Sequence, residues 1–454
     1  MTSLYTYRIT LNSLDTVVAE KRDTQNIVLG EPEGLFSYKV HHEIIHTLAH
    51  KAFTDEINEK EIETLGEALF NTLFDQGLRN DFLTFYNEVV HHKRTLLRLE
   101  LDINETKMPE MVALPWEFLR VPDNPITANL WLATAPNLIF SRRRAQWIAP
   151  QPIQLAAGQK LRLAVVVSTP QDEELGTISY TKLFTELETL KTELGDQVEV
   201  NLIDPATRPA TRYTIDDVLE TEPHIFHFVG HGRFQNNVGE VALVRDNGRT
   251  RWVSAERFAN LLARHRPGIV LLQACEGAQT AATDAFAGVG SQIVKHNIPV
   301  VVAMQYKISN ATARKFAREF YRRLAQGDPV DKAAQEGRYE ISDWHEKRDF
   351  ATPVLYMRVR DGHLFTRPAD SQPSAAYPNK LSQAERVQLR RNLLEYFSMS
   401  ELRNVCFEMG IDYDNFPNVK TDFVTAFIKH LEDTNRIDEL IAIGMRERNF
   451  LPWE

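Results

Sequence analysis

Two residues in this chain have the type and the setting for covalent chemistry. His231 follows the apolar run HFVG (227–230), and Cys275 follows IVLLQA (269–274). Each sits just before or near a turn glycine, Gly232 and Gly277. A thiolate attacks an acyl carbon and an imidazole handles the protons, so a histidine and a cysteine at neighbouring strand ends suit a cysteine hydrolase. The two are 44 residues apart, room for a loop, a helix and a return strand. That spacing predicts adjacent parallel strands with both residues at one rim. Gly232 lacks a Cβ, so its backbone N–H can approach a substrate carbonyl. With the N–H of Cys275 it would form an oxyanion hole. Taken singly, each residue has a plainer reading: a small buried hydrophobe in a strand, and a histidine in a polar turn. The pairing favours catalysis.

Other residues nearby invite weaker readings. Gln273, Glu276 and Asp284 are candidates for the substrate pocket, though the two acids equally suit a helix N-terminus, where the dipole favours them. His227, four residues before His231, shares its strand face and reads as a supporting or core histidine. His224 is expected to face the same way, but a metal held by His224, His227, His231 and Cys275 would be stretched along a strand. HEIIH (42–46) matches a zinc-protease pattern, with His42 and His46 as ligands, Glu43 as base and Glu63 or Glu67 as a third ligand. Against it stands a run of histidines, His50 included, on one helix face. No metal or other cofactor is expected.

The elements around these residues read as α/β. From Leu161, LRLAVVVS, VEVNLID, HIFHFVGHG, GIVLLQAC, IPVVVAMQ and TPVLYMRV are strand-like runs separated by amphipathic helices. Such alternation implies a mainly parallel sheet flanked by helices, with functional groups at the C-terminal strand ends. RFQNNVGEVALVRDNGRTRWVS reads as a small hairpin insert turning at Asn247-Gly248. Thr214 and Ser254 are expected helix caps. Residues 1–150 alternate strands and helices as a separate α/β lobe, 151–160 reads as a linker, and SRRRAQW (141–147) as a solvated basic segment. The domain of interest spans 160–366. The stretch 367–380, rich in Pro, Ser and Ala, is a second linker. From 381 to 454 the pattern is four short amphipathic helices, a small bundle capped at Ser382, Ser398 or Ser400, and Thr421, with Gly410 closing its second helix.

The 454 residues carry a net charge of −10 and are 43% hydrophobic, which suits a folded chain of several domains and does not point to nucleic acid. The longest apolar runs are strand-sized, and no membrane partner is expected. The opening residues lack signal-peptide character. Only two cysteines occur, Cys275 and Cys406, so no disulfide framework is possible and a cytoplasmic, reducing location is expected. Cys406, between Val405 and Phe407 on an apolar helix face, reads as core.

LLQACEGA resembles the Q-A-C-x-G signature of caspases, and FVGHG is similar to their His-Gly strand end. With the LRLAVVVSTP strand, the TELETL helix and the tail from PVVVAMQ to ATPVLYMRV, residues 160–366 resemble the CHAT family of caspase-like proteases related to separase. The resemblance implies a cysteine endopeptidase with a His231/Cys275 dyad. It also suggests that the preceding lobe, with LRLELDI and LPWEFL, is a catalytically dead caspase-like unit. Metacaspases carry an acid where this chain has Gln273, so a basic P1 residue is not implied. The match to caspases at Gln273 is not accompanied by recognisable arginines for a P1 aspartate. SMSELRNVCFEMGIDYDNFP, followed by a helix and RIDELI, resembles effector-associated, death-like domains of bacterial conflict systems. That implies recruitment of a partner bearing a like domain, in bacterial immunity or regulated death, and hence a protein substrate. Two other classes remain open: a pseudoprotease scaffold that only binds, and a zinc peptidase using HEIIH.

Overall fold

A computed structural model describes residues 4–447, except 106, 126, 144–149, 157, 176–177, 236–237, 275–288, 291, 343–344, 346, 360–361, 368–382, 410, 414–415 and 435. The chain divides into two compact units, Thr2–Pro368 and a smaller one formed mainly by Ala369–Glu454.

The larger unit begins with β1 (Tyr5–Leu11), β2 (Thr16–Arg22), β3 (Val28–Gly30) and β4 (Glu33–Leu35). Helices α1 (Tyr38–Thr54), α2 (Glu59–Leu73) and α3 (Gln76–Tyr86) follow, then β5 (Leu97–Ile103) and α4 (Pro109–Ala113). The paired dipeptides β6 (Arg120–Val121) and β7 (Leu130–Trp131) lead to β8 (Leu138–Arg143) and β9 (Ile153–Gln154). Next come β10 (Leu161–Val167), α5 (Thr181–Leu194), β11 (Val198–Ile203), α6 (Arg212–Glu220) and β12 (Ile225–Gly230). The insert is β13 (Gly232–Gln235), β14 (Val238–Val244) and β15 (Thr250–Ser254). The unit ends with α7 (Ala255–His265), β16 (Ile269–Ala274), β17 (Val300–Met304), α8 (Asn310–Ala325), α9 (Val330–Glu340), β18 (Pro353–Met357) and β19 (Phe365–Thr366).

Twelve strands join in one sheet of order β11-β10-β12-β16-β17-β18-β8-β5-β1-β2-β3, with β4 also on β2. The block β11-β10-β12-β16-β17 is parallel throughout, and β18 runs antiparallel to β17. β18 then pairs parallel with β8, so the two expected lobes share a continuous sheet. Alternation sorts the side chains. On β10, Leu163, Val165 and Val167 face a core with α5, α8 and α9, whereas Ala164 and Val166 face one with α6 and α7. Burial on both faces explains the near-continuous apolar runs.

Helix α9 locks the junction of the two halves. Asp331, Gln335 and Arg338 lie four and three residues apart, on one helical face. Arg98 Nε of β5 donates to Asp331 at 2.6 Å. Phe140 N donates to Gln335 Oε1 at 3.2 Å, and Arg338 donates to the carbonyls of Phe140 and Pro353 at 3.1 and 2.9 Å. Next to it, Glu117 is fully buried against Arg142 and the amide of Gln305.

Several local expectations change. The basic stretch from 141 is not solvated at its start: Ser141 and Arg142 are buried in β8, Arg142 pairs with Glu117, and Arg143 with Glu100. Burial opposes the charge on Glu100, yet Arg143 and Arg8 outweigh it and hold the carboxyl below its usual range. The 151–160 stretch contributes β9, which pairs with β19. Thr211, not Thr214, caps α6, accepting from Thr214 N. Ser254 caps α7 as expected, accepting from Arg257 N.

The smaller unit has α10 (Gln383–Tyr396), α11 (Met399–Glu408), α12 (Lys420–Asp433) and α13 (Ile437–Glu447). Leu393, Leu402, Val424, Phe427 and Leu431 form its core. Ser398 and Glu401 cap α11 reciprocally, each accepting from the other's backbone N–H, whereas Thr421 lies inside α12. Ser382 and Gly410 are outside the described residues. No described helix in the chain is long and apolar enough to cross a membrane.

Candidate active site

The two apolar runs that lead to His231 and Cys275 are neighbouring parallel strands. β12 and β16 pair with Val229 opposite Gln273 and Gly230 opposite Ala274. His231 follows Gly230 in the chain, and Cys275 follows Ala274. Cys275, Glu276 and Asp284 fall within 275–288, outside the described residues.

Position 230, the last of β12, has no room for a side chain. A Cβ there would meet the Phe228 ring at 2.7 Å, so a side chain would displace a core aromatic. The chain then leaves the parallel sheet and enters the three-stranded insert. His231 lies at this junction, 2% exposed, and its carbonyl accepts from Ala242 N at 2.9 Å. That bond fixes the ladder phase, making the next pair, Gly232 opposite Val241, a wide pair. At a wide pair the N–H groups point away from the partner strand. β13 is the outer strand of its sheet among the described residues, so the Gly232 N–H points away from β14.

Ser168, just past β10, clamps this junction. Its N–H donates to Val229 O at 2.8 Å and its hydroxyl to Ala242 O at 2.7 Å. The end of β10, β12 and β14 are thereby tied together under His231. The sequence offered one signal for it, a hydroxyl directly after an apolar run on an adjacent strand. Arg233, two residues past His231, pairs with Glu240 at 2.6 Å.

Beneath the rim, His227 Nε2 and Gln273 Oε1 are 3.1 Å apart across β12 and β16. The ring is fully buried. Burial pushes its pKa down to about 3 despite the Gln273 bond, so it stays neutral. The Tyr321 ring stands edge-on, 6.1 Å away. Gln273, a pocket candidate from the sequence, is 2% exposed and faces His227, not solvent.

His224 does not join this group. It precedes the opposite end of β12, where its Nδ1 accepts from Arg162 N at 2.9 Å. Burial, with Arg162 beside it, lowers its pKa to about 4. The six residues of β12 separate it from His231, roughly 23 Å over seven steps at strand rise, too far to share a metal ion. The HEIIH residues lie on α1 with local partners. His42 is 3.1 Å from Lys39 O, and His46 is 2.7 Å from the Tyr38 hydroxyl. Glu63 and Glu67, the candidate third ligands, both pair with Arg120. No group of three or more metal-ligating side chains occurs among the described residues. In the smaller unit Cys406 is fully buried in the core, and burial pushes its thiol up to about 12. A groove of about 660 Å³ between α5 and β11, lined by Tyr180, Phe184, Glu188 and Asp204, lies two strands from β12 and carries no histidine or cysteine.

The CHAT domain model matches residues 63–375, well over half the chain, and that of effector-associated domain 7 matches 389–449. No curated protein matches. Among solved structures, the chain is similar to one from the Saccharomyces cerevisiae separase–securin complex, with 11% identity and a TM-score of 0.41. That match covers 78% of this chain and 30% of the other, so the chain spans under a third of that relative's length. It is also similar to RgpB of Porphyromonas gingivalis in a complex of pro- and mature domains, at 11% identity and a TM-score of 0.38, covering 72% and 77%.

Proposed function

The chain belongs to the CHAT-domain family, and on that premise we propose that it is a cysteine endopeptidase with His231 and Cys275 as its dyad. The observation that carries the proposal is the register of β12 and β16, which puts the residue before His231 opposite the residue before Cys275. In this reading His231 takes the thiol proton and the Cys275 thiolate attacks the scissile carbonyl. The Gly232 and Cys275 N–H groups stabilise the oxyanion. His231 then protonates the leaving amine, and water hydrolyses the thioester to return the free enzyme. Neutral His227, held by Gln273, keeps a second positive charge away from the imidazole. Glu276 and Asp284 remain candidates for the cleft wall. The effector-associated match supports a recruiting role for the C-terminal unit, through a partner bearing a like domain, in a cytoplasmic bacterial immune or regulated-death pathway.

Peptide-library cleavage by the full chain tests this. Cys275→Ala and His231→Ala should each lower the rate by roughly three orders of magnitude or more. Full activity in Cys275→Ala sinks the dyad. A wild-type protein that neither cleaves nor reacts with a thiol-directed electrophile at Cys275 is a binding scaffold.

A further inference from the structure

Resting on the dyad reading, we propose that Ser168 is a positioning residue that aims the Gly232 N–H at the oxyanion. Ser168 is fully buried just past β10, so it touches no substrate and acts through the backbone. Its N–H donates to Val229 O at 2.8 Å, and a Cβ at position 230 would stand 3.4 Å from the Ser168 Cβ. The residue therefore lies against the last two residues of β12, one step before His231. Its hydroxyl donates to Ala242 O at 2.7 Å, across 74 residues of chain. Ala242 is the residue whose N–H holds the His231 carbonyl at 2.9 Å. That carbonyl and the Gly232 N–H belong to one peptide unit, and in a trans unit they point opposite ways. Fixing the carbonyl on β14 thus fixes the N–H away from β14. A tilt of this one unit turns the donor off the oxyanion while the rest of the sheet keeps its bonds.

In a narrow antiparallel pair each residue gives its N–H to the other's carbonyl. At position 231 the chain is passing from the parallel sheet into the insert, and the Ser168 hydroxyl donates to the Ala242 carbonyl there. The hydroxyl thus adds a bond on the side of β14 that faces His231, and it keeps Ala242 in place to hold the His231 carbonyl. Satisfying a buried hydroxyl takes any one acceptor. This acceptor belongs to the residue that orients the His231–Gly232 unit. The loop after β10 also fastens the far end of the insert. Gln171 N donates to Gly248 O at 2.9 Å, and Asp172 accepts from Thr250 N at 2.5 Å. One insert therefore has two fastenings from the same loop. The one at its tip only docks it, whereas the one at its base sets the donor.

The test compares two small reagents at Cys275 in the full chain, with Cys275→Ala as blank. The thiolate attacks p-nitrophenyl acetate at its carbonyl: the C–S bond forms, the carbonyl pair moves to oxygen as an oxyanion, and nitrophenolate then leaves. It attacks iodoacetamide at the methylene, where iodide leaves as the C–S bond forms and no oxyanion develops. Losing one oxyanion donor outright costs roughly 100-fold or more, so mis-aiming it in Ser168→Ala should slow acetylation by about tenfold or more while alkylation stays within about twofold. Asp172→Ala, which loosens only the tip, should lower the unfolding midpoint and leave the ratio of the two rates unchanged. Should Ser168→Ala not fold, Ser168→Cys, close in volume and a weak donor, takes its place with the same expected split. Four results overturn the role of Ser168 and leave the dyad standing: equal slowing of both reactions, no slowing of acetylation, the same fall of the ratio in Asp172→Ala, or a wild type that is alkylated but never acetylated. A wild-type Cys275 that reacts with neither reagent overturns both.

Discussion

Mild acid should destabilise the larger unit through His227. Its imidazole is fully buried, with Nε2 bonded to Gln273, and burial pushes its pKa from the ordinary 6.5 to about 3. Above pH 6.5 neither the folded nor the unfolded state binds this proton, and the full stability is present. Below it the unfolded chain takes up a proton that the folded chain excludes. Stability is therefore lost as pH falls from 6.5 towards 3. The loss from this residue is about 1.4 kcal/mol at pH 5.5 and about 2 kcal/mol at pH 5. His224, also lowered, acts in the same direction. The measurement is urea unfolding of wild type and His227→Gln at pH 7.5 and 5.5, followed by tryptophan fluorescence. Of the tryptophans only Trp453 lies outside the larger unit, so the signal reports the right part of the chain. The stability advantage of wild type over His227→Gln should shrink by about 1.4 kcal/mol between the two pH values. A difference that does not change with pH refutes the reasoning, because it means that His227 ionises inside the folded protein.

Three further outcomes follow from packing and burial. Asp331→Ala leaves Arg98 buried without its carboxylate and should cost about 3–5 kcal/mol in the same urea assay, more than the paired replacement Arg98→Met with Asp331→Leu. In the native protein iodoacetamide should modify Cys275 but spare Cys406, whose buried thiol is pushed up to about 12; mass spectrometry after denaturation should find both modified. Residues 2–368 made alone should unfold with the midpoint that unit has in the full chain, since among the described residues its hydrophobic clusters draw on none beyond 368; a collapsed or aggregated fragment contradicts this.

The pairing of the two strand ends was legible because it rests on local patterning. An apolar run followed by a polar residue and a glycine marks a strand end, and two such ends 44 residues apart leave space for one crossover. The direction in which Gly232 points its N–H was not legible. It depends on whether Gly232 falls at a wide or a narrow pair of β14, a phase set by one backbone bond from Ala242. Gln273 looked like a pocket residue because it precedes the cysteine by two, but strand alternation and the β12 register turn it onto His227. The stacking of Arg233 on Trp252 is illegible for a related reason: the two are 19 residues apart and become neighbours only through two hairpins.

Sequence alone determined the α/β character of residues 161–357, the order of its strands along the chain, the helical C-terminal unit and the histidine–cysteine order. Each follows from the period of apolar side chains or from turn chemistry, both set by residues close in the chain. Tertiary structure decided that residues 5–143 extend the same sheet through β8 and β18, and that Arg98, Glu117 and Arg142 are buried. A charged residue in a strand ordinarily marks a wet face. Arg98 is dry because Asp331 arrives on a helix 233 residues later in the chain, and Arg142 because Glu117 and the carbonyls of Val112 and Leu114 meet it. Such a partnership is a long-range energy, and no local pattern in the sequence encodes it.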